Sequence, residues 1–151
     1  MRNDSLLGKA QANLQVAELA LRASTDDAVL NIVAYHIQQA IELAIKHALE
    51  CEGIRYPKAH EIEVLIQLLP GSYADIVGML GRDSYMFTSW EAKTRYIKGF
   101  KVFLRDLEYG IAKAREVIDS VALHCTFDNG SDEQPCDQLS RQSQVNPLKL
   151  Q

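Results

Sequence analysis

Cysteine, proline and tryptophan are scarce in this chain: three, four and one among 151 residues. The cysteines Cys51, Cys125 and Cys136 form an odd, widely spaced set. That spacing matches neither a disulfide framework nor a zinc pattern, so they read as reduced thiols. Strand signals are missing too. No stretch alternates with period two, and Asn129-Gly130 has no strand-like run on either side. No run approaches the roughly 20 apolar residues of a membrane span. No apolar segment follows Met1-Arg2-Asn3-Asp4-Ser5 to make a signal peptide, so the cytoplasm is expected and a membrane is not. Positive charge is not in excess: 16 Lys and Arg face 20 Asp and Glu, for a net charge of −4. That excludes a strong sequence-independent nucleic-acid binder but leaves room for one local basic site. There is no serine nucleophile elbow, phosphate-loop glycine pattern, Rossmann fingerprint or carboxylate pair set for acid–base work. No cofactor is expected.

What is present is apolar periodicity at three and four, and the length suits a single domain. A first helix is predicted from about Ser5 to Ala23, with Leu7, Ala10, Leu14, Ala17 and Leu21 inward. Ser24-Thr25-Asp26-Asp27 breaks it. Ser24 or Thr25 can cap the next helix, and the two aspartates suit its positive end. The second helix is predicted from Asp27 to Cys51, with an apolar face so wide that it should be central. Gly53 is its stop signal and Pro57 sits in the following loop. A third helix is predicted from His60 to Leu69, ended by Pro70-Gly71. Ser72 with Asp75 looks like a capping box for a short helix to Leu80. Thr88 with Glu91 looks like another, opening a segment that bends at Gly99. Val102 to Leu123 then forms the last helix. Thr126 to Gln151 is polar and reads as a disordered tail. The division is a bundle over residues 1–124 and a tail over 125–151.

The second helix carries Gln38, Gln39, Ala40, Glu42 and Lys46. Pro57, His60 and Glu61 follow, and Arg95-Tyr96 comes later. In this order and spacing these residues resemble the HEPN family of small bacterial and archaeal helical bundles, over about Leu6 to Val121. The resemblance implies an all-α, antiparallel four- to five-helix up-and-down bundle that forms a homodimer. It also implies nucleotide binding or pairing with a minimal nucleotidyltransferase, often as a toxin–antitoxin pair. Two positions depart from the pattern. Ala59 stands where the family often has a Thr able to cap the third helix, and Ile97 follows Arg-Tyr where Pro is common. Losing such a cap costs about 1 kcal/mol unless something replaces it.

Ribonuclease members carry Arg, four to six residues, then His near the start of the last helix. Counting from Arg95 or Arg105 reaches no histidine at that spacing. Arg55-Tyr-Pro-Lys-Ala-His60 fits the spacing but lies between the second and third helices. Arg55 and His60 are therefore the weak catalytic candidates. The plainer role for His60 is to orient the loop and start the third helix.

Gln39, Glu42 and Lys46 share one narrow strip. It reads either as an exposed helix face with a Glu42–Lys46 pair worth ~0.3–0.5 kcal/mol, or as a polar seam lining a groove or dimer interface. In a groove, Lys46 would hold a phosphate and Gln39 a base or ribose. Arg95, Lys98 and Lys101, with Lys93 and Arg105 nearby, make a basic cluster beside Tyr96, Trp90 and Phe100. Arg beside an aromatic suits phosphate and base, and a solvated face is the plainer reading. Trp90 reads as a packing anchor or interface residue. His36 and His47 lie on a common stripe ~16 Å apart, too far for one metal, so no metal site is expected. The candidate nucleotide- or partner-binding set is Gln39, Glu42, Lys46, His60, Arg95 and Tyr96. Three functions remain open: a non-catalytic binding module, an RNA-cutting toxin, and a purely structural dimeric module. The missing motif on the last helix leans away from an enzyme.

Overall fold

The computed structural model describes the chain from Ser5 to Ser131, with side chains described to Cys125. The described residues are all helical or connecting: α1 (Leu6–Ala23), α2 (Asp27–Cys51), α3 (Ile62–Ile66), α4 (Ala74–Leu80), α5 (Ser84–Tyr96) and α6 (Leu104–Ser131). A 3₁₀ turn, Gly71–Tyr73, leads into α4. The predicted all-α bundle is therefore present. The expected disordered tail falls largely on residues 132–151, outside the described residues. α6 itself continues beyond the predicted end at Leu123.

α2 is central, as its wide apolar face requires. It packs against α1 along its length and also meets α3, α5 and α6. Val33, Ala34, Ile37, Ala40, Ile41, Ala44, Ile45, Ala48 and Leu49 are all fully buried on it. Its alanines let neighbouring helices approach closely. By length and composition alone α2 could cross a membrane, which corrects the expectation that no segment could. However, 56% of the relevant stretch is buried inside the bundle.

The helix ends follow local rules. Ser5 Oγ accepts the Gly8 N–H at 2.9 Å and caps α1. Gly53 has φ +69° and closes α2. Gly53 N donates to Glu50 O at 3.1 Å, and Ile54 N donates to Leu49 O at 2.8 Å. Those two bonds are a Schellman motif, which only a left-handed residue can complete.

Several expected boundaries shift. α3 stops at Ile66, because i→i+3 bonds from Leu68 and Leu69 tighten the chain ahead of Pro70. The Ser72–Asp75 capping box does not form. The carboxylate of Asp75 turns to Ser120 and His124 on α6 instead. Thr88 does not open a helix either, since α5 begins at Ser84 and Thr88 lies inside it. Gly99, at φ +80°, belongs to a non-helical link over residues 97–103 rather than to a bend.

α6 closes the core with Leu107, Ala114, Val117, Ile118 and Val121. Where α6 crosses α2 and α5 it presents Gly110. A Cβ there would lie 3.1 Å from Trp90 Cζ3 and 3.2 Å from Ile37 Cγ2. Trp90 is only 3% exposed and meets Phe87 edge-on at 5.4 Å, so it is a packing anchor.

Candidate functional site

The strip on α2 is not a solvent face. Gln38 is fully buried and Glu42 is 3% exposed. The chain leaving α2 folds back over them and lays His60 on the Glu42 carboxylate. Gln38 Nε2 donates to Glu42 Oε1 at 2.8 Å and to the His60 carbonyl at 3.3 Å. Gln39 Nε2 reaches Gln38 Oε1 at 2.8 Å and Glu42 Oε1 at 3.3 Å. Lys46 Nζ donates to Glu42 Oε2 at 2.8 Å. His60 Nδ1 lies 3.2 and 3.3 Å from the two carboxylate oxygens. The amide and ammonium neighbours all donate, so Glu42 acts as an acceptor. His60 fits by donating its Nδ1–H.

This corrects the reading of Glu42–Lys46 as an exposed pair worth a few tenths of a kcal/mol. The pair is internal, and losing either partner strands the other. Lys46 also lies 5.6 Å from the centre of the Tyr56 ring. The Tyr56 hydroxyl donates to Glu50 at 2.8 Å. Its pKa is raised, first by burial and then by that bond and the charges of Glu50 and Glu42.

The same face of α2 carries Tyr35, one turn from Gln39. Here α5 ends, and Arg95 rests 5.0 Å from the Tyr35 ring centre and 4.8 Å from that of Tyr96. Glu91 holds the guanidinium through its carboxylate and its backbone carbonyl. Beside Arg95 opens a pocket of about 250 Å³ lined by Asn31, Ile32, Tyr35, His36 and Thr94. Tyr96, the other ring that Arg95 contacts, is 73% exposed. Asn31 Nδ2 donates to the Phe100 carbonyl at 3.2 Å and ties the 97–103 link to α2. His36 Nδ1 lies 2.7 Å from Asn13 Oδ1. The Asn13 amide nitrogen donates to Lys9 O, which fixes that oxygen toward His36. Burial holds the His36 pKa below its ordinary value.

The candidate residues thus fall into two groups. Gln39, Glu42, Lys46 and His60 form one hydrogen-bonded unit, while Arg95 and Tyr96 form a second at the α5 end. Arg55 is exposed, and among the described residues no hydrogen bond or ion pair joins it to His60. In the basic cluster, Lys93 and Lys98 are exposed, Lys101 pairs with Asp27 at 3.5 Å, and Arg105 lies over Phe103. Sequence reasoning overlooked Tyr35 as a partner of Arg95 and Asn31 as a neighbour in the same pocket. The four-residue spacing of Tyr35 and Gln39 was the available signal.

A HEPN domain model matches residues 4–124. The chain belongs to the HEPN family. No curated protein and no solved structure matches it. Of the residues that resemble the HEPN pattern on α2 and in the loop after it, Gln38, Gln39, Lys46 and His60 are assembled around Glu42. HEPN membership suggests a nucleotide- or RNA-related role, or a toxin-like one.

Proposed function

We propose that this protein is a non-catalytic HEPN binding module, with its binding face at the junction of α2 and α5. The observation that carries the reading is Arg95, which lies 5.0 Å from the Tyr35 ring centre and 4.8 Å from that of Tyr96 and helps line a pocket. Such a cation offers charge to a phosphate, and exposed Tyr96 offers a face for a base. A bound phosphate would take over the ion pair that Glu91 now makes. The Glu42 unit supports this face by fixing α2 against the loop that carries His60. No Arg-x₄₋₆-His pattern falls at the start of α6. The ligand is a nucleotide, and the same face or a neighbouring one serves a nucleotidyltransferase-like protein in a two-component, toxin–antitoxin arrangement. The working unit is a homodimer. Exposed Ile32, Ile97 and Phe103 supply apolar area near the junction for that contact.

Two measurements test the proposal. Calorimetric titration with mono- and triphosphate nucleotides should show binding that Arg95→Ala removes. Affinity capture from the native host should recover a stoichiometric nucleotidyltransferase-like protein. Absence of both, with the chain recovered alone as a dimer, would leave only the structural module.

A second reading has one specific observation in its favour. Glu42 orients His60 through Nδ1 while the His60 side chain stays 57% exposed. A carboxylate that fixes an imidazole this way leaves Nε2 to take a proton. On this reading the protein is an RNA-cutting toxin, with Arg55 as phosphate holder. His60→Ala that keeps its helical circular dichroism but no longer arrests growth would favour it. Unchanged growth effects would remove it.

A further inference from the structure

The far end of the bundle holds a group of side chains that the binding face does not use. His47 and Cys51 stand four residues apart on the last turns of α2, and so share one face of that helix. Cys125 reaches them from α6. One donor atom from each residue lies within 4.8 Å of the other two. Cys125 is buried, His47 and Cys51 are half-buried, and no disulfide joins the two thiols.

We infer that His47, Cys51 and Cys125 form a zinc site joining the end of α2 to α6. Two thiolates and one imidazole are a donor set for a borderline-soft cation, not for Mg²⁺ or Ca²⁺. Tetrahedral zinc, with Zn–S of about 2.3 Å and Zn–N of about 2.0 Å, brings such donors to roughly 3.5–3.8 Å of one another. The donors therefore need a closure of at most about 1 Å, within reach of side-chain rotation. Two thiolates cancel the charge of the ion. The carbonyl end of α2 places its negative partial charge on the same side. Three protein ligands leave the fourth position to water.

Binding has one local cost that also reports it. His47 Nδ1 accepts the Leu7 N–H at 3.3 Å. If zinc takes Nδ1, it displaces that amide. If it takes Nε2, the ring must carry its proton on Nδ1 and can no longer accept. Either way the Leu7 amide at the start of α1 changes partner. Zinc would thus join the end of α2 to α6 through its ligands and release the start of α1 from His47.

The test uses the untagged, full-length chain with Cys136→Ser, reduced and stripped of metal, titrated with cobalt(II) and then zinc. The expected result is one cobalt per chain, thiolate-to-cobalt charge-transfer bands and tetrahedral ligand-field bands. Zinc should erase both, and the Leu7 amide resonance should move. Cys51→Ser and His47→Ala should each weaken cobalt by about ten-fold or more while helical circular dichroism is kept. The cobalt spectrum of the parent decides even where Cys125→Ser fails to fold. Absence of charge-transfer bands from fully reduced protein would overturn the inference, as would bands unchanged in Cys51→Ser. Isolation from cells of a Cys51–Cys125 disulfide in place of metal would overturn it as well.

Discussion

Thr88, in the middle of α5, supplies the cap that α3 cannot supply for itself. Its Oγ1 accepts the backbone N–H of Ile62 at 2.8 Å and donates to Glu63 at 2.7 Å. Ala59, the residue before His60, has no side-chain acceptor for that amide. The cap therefore comes from a residue 26 positions away. Thr88→Val keeps the shape and removes both bonds. It should lower stability by about 1–2 kcal/mol in urea unfolding. Thr88→Ser should recover most of the loss. Equal stability of the Val variant would show that water caps α3 instead.

The buried carboxylate of Glu42 sets a second expectation. Glu42→Ala leaves the Lys46 ammonium inside the bundle without its carboxylate, and Gln38 with only the His60 carbonyl as acceptor, and should cost about 3 kcal/mol or more. Lys46→Met alone should also destabilise the fold. The double variant Glu42→Gln with Lys46→Met removes both charges and keeps the amide bonds. It should be more stable than either single charge deletion. Additive losses would place the pair in solvent and contradict its burial.

How much of this was legible beforehand follows from how local each signal is. α1, α2 and most of α6 repeat apolar residues at three and four, and Gly53 marks its own stop, so their places follow from short-range rules. Thr88 was misread because Thr-x-x-Glu inside a helix looks the same as a capping box at its start. Its real partner lies across the fold. Glu42 was open to an exposed reading because a polar strip on a helix looks alike whether water or a returning loop covers it. The His47–Cys51 spacing was visible on α2, but nothing near Cys125 in the chain shows that α6 brings it alongside. Arg95 and Tyr96 were found as a pair, and Tyr35 was missed because its contact depends on where α5 ends.

Gly110 should resist enlargement. Alanine at a mid-helix glycine ordinarily gains about 0.5–1 kcal/mol. Here the added methyl meets the Trp90 ring and Ile37, both buried and hemmed in by the core. Overpacking of about 1–3 kcal/mol should outweigh the gain, so Gly110→Ala lowers the melting temperature and Gly110→Val lowers it further. A more stable Ala variant would mean that Trp90 can shift.

His36 gives the fold a pH dependence of predictable sign. Burial lowers its pKa below 6.5, so between the two values the unfolded chain holds more protons than the native one. Stability from this group is complete above the unfolded pKa. It is lost as pH falls through 6.5 toward the lower folded value. Urea midpoints measured from pH 7.5 down to about 5 should decline more steeply for the parent than for His36→Gln. Parallel profiles would assign the acid sensitivity to other groups.

Arg95 separates binding from folding. It is exposed, and its bonds to Glu91 lie within one helix, so Arg95→Ala should change stability by no more than about 0.5 kcal/mol. If the α2–α5 face binds nucleotide, the same substitution should weaken it by about ten-fold or more, the scale of a lost charge-assisted bond. Arg95→Lys keeps the charge but cannot lie flat against Tyr35 and Tyr96, so it should rescue little. Tyr96→Ala should weaken binding of base-bearing nucleotides more than that of inorganic pyrophosphate, because only a base can stack. Comparison with Glu42→Ala completes the argument. A ligand lost there together with the fold, but lost in Arg95→Ala from a stable protein, places recognition at the α5 end and leaves Glu42 as its support. Full affinity in Arg95→Ala would move the binding site away from this face.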